Sequence, residues 1–498
     1  MADPEMIAEY ITTKQSLPKS PLETGYMNKF LGDNNLVSIE GHHWKSLRSM
    51  FNPGFSAQNV LTLTDTIVDA SLKFCDVLRA KAKTNEHFQF EEYATRLTID
   101  IIGRATFDVD MDAQQRIHPI VKHFRERVEL MPPGDAVFPW QAIDVFRPLK
   151  LWLNNRKLEA EVKKELDEKI VRRAKDIEDE LKNGVKQNKK RSIVDLALNA
   201  YEKEQSLSPE AGGNVKHILE PSELPRSLRQ DIADSVKTFF FAGHDTTTIA
   251  WAHYLLHRNT EPRRKLMDEL NHFFPPGTSA ADTIKADPHI VNQLEYTTAF
   301  IKETMRIFPP ASTLRSNIPG QPIAQTVMRS PSTGQEYPIF AGIHIWPAAH
   351  LVHRNRRFFP RPTHFIPERF LRSQTPFPEA ELFTPAGKEA FRPFERGPRN
   401  CIGQELAMAG TKIILALTAR EFDFVLEYPG EQVDPQHPIP NSTAEEFGEM
   451  TAYGGMLHEG RVQRYRVEGH RCWPFLKGTA KPTGGLPGRV YLRKDEVL

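Results

Sequence analysis

The chain has 498 residues, 39% of them hydrophobic, and its 65 basic and 64 acidic side chains leave a formal charge of +1. This balance gives no indication of a nucleic-acid partner, because such proteins usually carry an excess or a patch of positive charge. Three cysteines in so long a chain argue against a disulfide framework and indicate a reducing compartment. With no C-x-x-C pair, a structural zinc site is not expected.

The N-terminal segment carries no visible membrane signal. Residues 1–30 contain no apolar run that suits a signal peptide or a spanning helix. We therefore expect a cytosol-facing chain without an anchor in the sequence as given.

Helical periodicity dominates the chain. It predicts helices at 59–82, 91–105, 153–183, 228–256, 291–307 and 404–418. The helix at 228–256 is apolar on several sides, which predicts burial, and its Gly243, His244 and Asp245 argue against a membrane span. The basic stretch at 186–191 is interpreted as a solvated loop rather than a nucleic-acid or lipid site.

Short strands follow in the second half of the chain. Alternating runs between Gly, Pro and Ser turns predict strands at 336–340 and 343–346, and a late strand pair at 461–467 and 489–492. We find no repeat and no dividing linker. These patterns predict a single domain over residues 1–498, mainly α with small β-sheets.

Two spaced pairs have the residue types of binding or bracing sites. Trp44 and Arg48 share a helix face, where an indole N–H and a guanidinium can bind a carboxylate, although surface packing explains the pair taken alone. Glu303 and Arg306 share another face in an apolar setting, and Arg369 follows downstream. Most such pairs lie on the surface, but a buried Glu between two Arg would be a structural clamp.

A third segment interrupts the apolar helix. Ala242–Thr247 reads Ala-Gly-His-Asp-Thr-Thr, and a threonine hydroxyl that bonds a carbonyl four residues back can distort a helix. A groove opened there could admit a small ligand, with Asp245 and Thr246 as a proton relay. A kink filled by packing explains the segment about equally well. His253 and His257 have zinc-like spacing but lack the glutamate that a zincin needs, so we do not predict a metal there.

Cys401 is the most informative residue. It ends a loop that bears Gly397 and Arg399 and immediately precedes the predicted helix at 404–418. Helix N-termini and arginines favour a thiolate, so we expect a reactive or ligating cysteine; the alternative is a buried structural one.

Together these segments resemble, in order, those of the cytochrome P-450 family of haem-thiolate monooxygenases. Residues 394–403 have the family's F-x-x-G-x-R-x-C-x-G pattern in full, and the others match its W-x-x-x-R, oxygen-binding, E-x-x-R and P-E-R-F segments. The resemblance runs from about the start of the chain to its end. It implies the family's fold, with haem between the long oxygen-binding helix and the Cys401 loop.

The resemblance also implies a cofactor and roles for particular residues. Cys401 would be the axial thiolate of haem b iron, Phe394 would shield the sulfur, and Gly403 would let the backbone approach it. Four side chains are implied as partners of the haem propionates: Trp44, Arg48, Arg315 and Arg399.

Two further groups of residues take their roles from the resemblance. Thr246 with Asp245 would stabilise bound dioxygen and deliver protons. Glu303, Arg306 and Arg369 would hold the fold behind the haem.

The implied reaction inserts one atom of O₂ into a lipophilic organic substrate, with electrons from an NADPH-dependent flavoprotein reductase. In its overall sequence character the chain resembles the fungal secondary-metabolism members of the family. Two alternatives stay open: a haem-thiolate isomerase or dehydratase that needs no reductase, and a non-enzymatic haem-binding remnant. Asp245 and Thr246 argue against the first.

The surfaces for substrate and reductase are placed by analogy alone. Apolar segments implied at the substrate pocket are the loop before Trp44, 131–140, 239–242, 311–314 and 474–487. Lys45, Arg392 and Arg396 suggest a basic docking surface for the reductase, and ordinary solvated charges explain them equally well. Relatives in the endoplasmic reticulum membrane carry an N-terminal anchor, a first helix and first strands, which we interpret as missing before residues 1–30.

Overall fold

The computed structural model describes residues 1–130, 145–183, 191–207, 216–245, 248–317, 327–427, 474–477 and 479–493. The predicted strand at 461–467 and the candidate substrate segment 131–140 lie outside the described residues. So do residues 186–190 of the basic stretch and, at the centre of the oxygen-binding segment, Thr246 and Thr247.

Helices make up most of the described chain. The first eight are α1 (Pro4–Met6), α2 (Pro21–Leu31), α3 (Gly41–Phe51), α4 (Ala57–Thr62), α5 (Thr64–Thr84), α6 (Phe90–Phe107), α7 (Pro119–Leu130) and α8 (Arg147–Asn183). They are followed by α9 (Ile193–Ser206), α10 (Arg226–Asp245), α11 (Thr248–Arg258), α12 (Thr260–Phe273), α13 (Ala280–Ala286), α14 (Glu295–Ile307), α15 (Ala349–Val352), α16 (Pro385–Ala390) and α17 (Gln404–Thr418).

Most helix predictions are confirmed, and α17 has the predicted bounds. The predicted helix at 59–82 is divided at Leu63 into α4 and α5, and the one at 291–307 begins as a 3-10 turn at Pro288–Gln293 before α14. The end of α14 follows from Pro309 and Pro310, since proline lacks the N–H that a helix needs and clashes with the preceding turn. None of the described helices is both long and apolar enough to cross a bilayer.

The strands of the described residues form four small antiparallel sheets. They are β1 (Phe88–Gln89), β2 (Arg315–Ser316), β3 (Val327–Arg329), β4 (Glu336–Pro338), β5 (His344–Ile345), β6 (Phe422–Leu426), β7 (Pro474–Lys477), β8 (Thr479–Pro482) and β9 (Pro487–Leu492). The pairs are β2 with β5, β3 with β4 and β7 with β8, and β9 lies between β1 and β6. The predicted strand at 489–492 therefore exists, and in the described residues its partners are β6 and β1.

Aromatic side chains hold the helices together in the main core. Phe239 of α10 lies edge-on to Phe51 and Phe55, with ring centroids 5.0 Å apart in both contacts. Helix α10 also passes close to α6, because a Cβ added at Gly243 would lie 2.9 Å from Cγ1 of Ile102. This packing explains Gly243 without any ligand.

A second, smaller core lies between the first residues and the region after α15. It contains Ile7, Ile11, Phe358 and Phe359. The N-terminal segment is thereby brought against the loop that leads to Cys401.

Candidate active site

The loop before α17 holds Cys401 through its own backbone and through the N-terminal segment. We call residues 392–403 the cysteine loop. The N–H of Cys401 donates to the carbonyl of Phe394 at 2.8 Å. Gly397 has φ +78°, and a Cβ there would lie 2.0 Å from the carbonyl oxygen of Thr12. Only glycine combines that conformation with so close an approach, so the loop is fitted to the N-terminal segment.

Opposing influences act on the thiol of Cys401. The residue is exposed, yet the protein atoms around the sulfur desolvate it enough to raise the pKa of the thiol. A backbone hydrogen bond at Gly403 and the charge of Arg48 lower this pKa but do not outweigh the desolvation. Arg48 and the backbone at Gly403 thus act on the sulfur in the direction expected from the sequence, and a bound cation would favour the thiolate further. The role of Cys401 as a thiolate stays a prediction.

Helix α3 contacts the cysteine loop with both residues predicted from its sequence. Arg48 donates from Nη1 to the carbonyl of Asn400 at 2.9 Å and from Nη2 to its Oδ1 at 3.2 Å. Trp44 lies under the guanidinium of Arg399, 4.4 Å from ring centroid to Cζ. Both side chains thus meet residues directly before Cys401.

The two other predicted cations are largely buried. Arg399 donates to the carbonyls of Ile39 at 2.9 Å and Val37 at 3.1 Å, and burial lowers its pKa to about 10. Arg315 is 1% exposed and donates from Nη1 to the carbonyl of Leu17 at 3.0 Å. Its Nε has no hydrogen-bond partner among the described residues.

Sequence reasoning missed the polar groups that complete this cluster. Lys19 Nζ lies 3.0 Å from Glu23 Oε1 and 2.5 Å from the hydroxyl of Thr313, and burial lowers the pKa of Lys19 to about 8. Glu23 also accepts the N–H of Leu314 at 2.6 Å, and Glu40 lies 3.6 Å from Arg399. The four-residue spacing of Lys19 and Glu23 was the one available signal, and surface pairs share it.

Glu303, Arg306 and Arg369 form a fully buried clamp. Their side chains are 0%, 0% and 1% exposed, and Glu303 binds Arg306 at 2.8 Å and Arg369 at 3.0 Å. The N–H of Ile366 donates to Glu303 at 2.8 Å. Arg306 also donates to the carbonyls of three residues: His353, Pro362 and His364. The surface-pair alternative is thereby excluded for these three residues.

The cytochrome P450 family model matches residues 1–444 of this sequence. This chain belongs to the cytochrome P450 family. Membership brings haem-dependent monooxygenase activity, and it confirms the predicted family and fold class.

Two fungal P450 proteins are similar over nearly the whole chain. The cytochrome P450 monooxygenase acrF of Aspergillus aculeatus is 31% identical over 99% of this chain and 91% of its own length. The cytochrome P450 monooxygenase polC of Polytolypa hystricis is 30% identical over 98% of this chain and 78% of its own length.

Solved P450 structures share the fold. The cytochrome P450DA heme domain has a TM-score of 0.68 with 18% identity, covering 99% of this chain and 87% of that one. A cytochrome P450 named CYP102L1 has a TM-score of 0.65 with 17% identity. At such identity the likeness concerns the fold alone.

The residues around Cys401 fit the haem of a P450. Cys401 is exposed, and a Cβ added at Gly403 would lie 3.9 Å from its sulfur, which is ordinary van der Waals contact. The cluster holds more positive than negative side chains: Lys19, Arg48, Arg315 and Arg399 against Glu23 and Glu40. A surplus of two positive charges would balance the two propionates of a haem, and Arg315 Nε, which has no partner among the described residues, is a donor that such a group would satisfy.

Other predicted site residues of this P450 remain predictions or need correction. Thr246 lies outside the described residues, and of Asp245 the structure gives the backbone as the last residue of α10. In the substrate segment 239–242, Phe239 to Phe241 are buried in the core and Ala242 is exposed. Three phenylalanines therefore serve packing there.

One residue of the predicted basic docking surface, Arg392, is buried. Arg392 is 1% exposed, and its guanidinium binds Glu395 at 2.5 Å and the hydroxyl of Thr12 at 3.0 Å. It braces the cysteine loop from inside. Lys45 is exposed and Arg396 half-buried, so these two stay candidates.

The first histidine of the pair on α11 forms a hydrogen bond within the core. His253 is buried against the Thr418 hydroxyl at 2.9 Å, and burial lowers its pKa to about 4. In the part of the chain that the structure describes, no group of three or more His, Cys, Asp or Glu side chains could hold a metal ion.

Proposed function

We propose that this chain is a haem-thiolate monooxygenase in which the thiolate of Cys401 would bind the iron of haem b. The supporting observation is that Cys401 is exposed and lies beside the net-positive cluster around Arg315 and Arg399. Bound haem would supply the activation of dioxygen, so that one oxygen atom enters the substrate and the other becomes water.

The chain's own residues would hold and orient that haem. Trp44, Arg48, Arg315 and Arg399 would bind the propionates, with Arg48 exchanging part of its contact with Asn400 for the ligand. Phe394 would shield the sulfur, while its carbonyl fixes the N–H of Cys401. The clamp of Glu303, Arg306 and Arg369 would support the fold at a distance from the reacting atoms.

Asp245 and Thr246 would relay protons into the site. A carboxylate at the end of α10 and a hydroxyl next to it in the sequence have the residue types of a proton relay. In coupled turnover, Thr246→Ala should raise the NADPH consumed per product. Unchanged coupling would contradict the relay.

The substrate would be a lipophilic small molecule of fungal secondary metabolism. The fungal relatives and the apolar candidate segments support this class. Exposed Ala242, Ala311 and Ser312 are its candidate contacts among the described residues. Electrons would come from an NADPH-dependent flavoprotein reductase, docked near Lys45 and Arg396.

The test combines a binding screen with labelled dioxygen. Lipophilic compounds that perturb the haem spectrum are incubated with the protein, a fungal P450 reductase, NADPH and isotopically labelled O₂. Incorporation of one labelled atom into product, dependent on NADPH, is expected. Turnover without NADPH, or product without label, would favour an isomerase or dehydratase instead.

A further inference from the structure

His353 lies directly after α15 and is wholly buried, with 0% of its surface exposed. Its Nδ1 is 3.1 Å from the carbonyl oxygen of Arg306, and its Nε2 is 3.0 Å from the backbone N of Arg392. Its own carbonyl accepts a hydrogen bond from Nη1 of Arg306 at 3.0 Å. His353 therefore touches the clamp twice and the start of the cysteine loop once.

The two ring contacts fix the tautomer of His353. A backbone N–H can only donate, so Nε2 must accept from Arg392 and carries no proton. A backbone carbonyl can only accept, so Nδ1 carries the proton and donates to Arg306. Burial first, and then the guanidinium of Arg306, keep the pKa of His353 well below its usual range. The ring is therefore neutral at ordinary pH.

Short contacts continue from Arg392 to Cys401. The guanidinium of Arg392 binds Glu395 and Thr12, which fastens the start of the loop. Two residues after Arg392, the carbonyl of Phe394 accepts the N–H of Cys401 at 2.8 Å. One buried ring thus joins the clamp to the backbone that carries the sulfur.

We propose that His353 is a positioning residue that joins the clamp to the cysteine loop and thereby sets where the Cys401 sulfur stands. This inference rests on the proposed role of Cys401 as the haem ligand. The hydrogen bonds of His353 go to Arg306 and Arg392 and not to the Cys401 sulfur. His353 would therefore act on the sulfur through Arg392 and Phe394.

The decisive variant is His353→Phe, with His253→Phe as its control. Phenylalanine keeps a ring to stack on Phe391, whose centroid is 5.6 Å from that of His353, but it removes both ring hydrogen bonds. His253 is also a buried histidine with a ring hydrogen bond, yet it bonds Thr418 at the far end of α17. His353→Gln retains one polar end and serves where the phenylalanine variant folds poorly.

The first readout needs no haem. Amide exchange at Cys401 is resolved by fragmentation mass spectrometry on the apo protein and should accelerate on the order of tenfold in His353→Phe. The reason is that the N–H of Arg392 loses its acceptor, which loosens the loop whose Phe394 carbonyl accepts the N–H of Cys401. It should change little in His253→Phe. Equal acceleration in both variants, or none in either, would overturn the proposal.

The second readout uses haem-bound protein. The carbon monoxide spectrum of the reduced His353→Phe protein should show part of the Soret absorption without the thiolate red shift, and haem should dissociate several-fold faster. Unaltered spectrum and dissociation would also overturn the proposal. If the wild-type protein lacks the thiolate band, the proposed function is wrong. The amide exchange measurement would still test whether His353 holds the cysteine loop in place.

Discussion

Arg48 and Asn400 are joined by two hydrogen bonds, from Nη1 to the backbone carbonyl at 2.9 Å and from Nη2 to Oδ1 at 3.2 Å. Arg48, the second of the two predicted site residues of α3, is therefore bonded to the residue directly before Cys401. These two hydrogen bonds link α3 directly to the cysteine loop.

Arg48→Lys should weaken haem retention. Lysine keeps the charge but cannot make the paired contact, and hydrogen bonds to charged groups contribute about 1.5–3 kcal/mol. We expect haem to dissociate about tenfold faster, measured by transfer to apomyoglobin. Arg104→Lys, at a half-exposed arginine paired with Asp110, is the control and should behave as wild type. Equal effects of the two variants would contradict the assignment.

Glu303→Gln should strongly destabilise the fold. It leaves Arg306 and Arg369 buried with a neutral partner, and breaking a buried pair costs about 3–5 kcal/mol. The free energy of unfolding in urea measures this loss. The control is Glu261→Gln, which breaks the exposed pair with Arg264 and should change stability little. Similar free energies of unfolding in the two variants would show that the clamp stabilises the fold no more than a surface pair does.

Stability should depend on the titration of Lys19. Burial lowers its pKa from 10.5 to about 8, so between these pH values the unfolded chain holds a proton that the folded chain has released. The Lys19 contribution therefore makes stability rise with pH through this window. Below pH 8 both states are charged, and the burial costs roughly 3 kcal/mol.

The difference in unfolding free energy between wild type and Lys19→Met isolates this effect. It should shift in favour of wild type by up to roughly 3 kcal/mol as pH rises from 8 to 10.5. Lys83→Met, at an exposed lysine, supplies the reference. Parallel pH curves for wild type and Lys19→Met would exclude a buried, pKa-shifted lysine.

Gly397→Ala should dislodge the cysteine loop. The residue sits at φ +78°, and an added Cβ would lie 2.0 Å from the carbonyl oxygen of Thr12. A left-handed conformation alone costs a residue with a side chain about 1 kcal/mol, and this contact adds to it. We expect lower stability and reduced haem content. Gly25→Ala, in an exposed turn of α2 with open space around it, should instead be neutral or stabilising.

The sequence predicts the local elements better than the contacts between them. Helix α17 has its predicted bounds because its period and its position after the cysteine loop are local signals. The partnership of Lys19 with Thr313 joins residues almost three hundred positions apart, and no local pattern encodes it. Arg392 was placed on the surface by its charge, whereas Glu395 and Thr12 let it be buried.

The desolvation of the Cys401 thiol could not be predicted from the sequence either. Position before a helix and nearby arginines both favour a thiolate, but the desolvation that raises the pKa of Cys401 depends on packing from the whole fold. The net positive charge around Arg315 could not be predicted either, because it depends on the fold bringing Glu23 and Glu40 close to the arginines.

The central claim is that Cys401 is the haem ligand, and one spectrum tests it most directly. The reduced protein is treated with carbon monoxide as wild type, as Cys401→Ala, and as Cys75→Ala, which removes a buried cysteine of the core. We predict the red-shifted Soret band of thiolate ligation in wild type and Cys75→Ala and its loss in Cys401→Ala. A wild-type protein without that band, or a Cys401→Ala protein that retains it, would contradict the account.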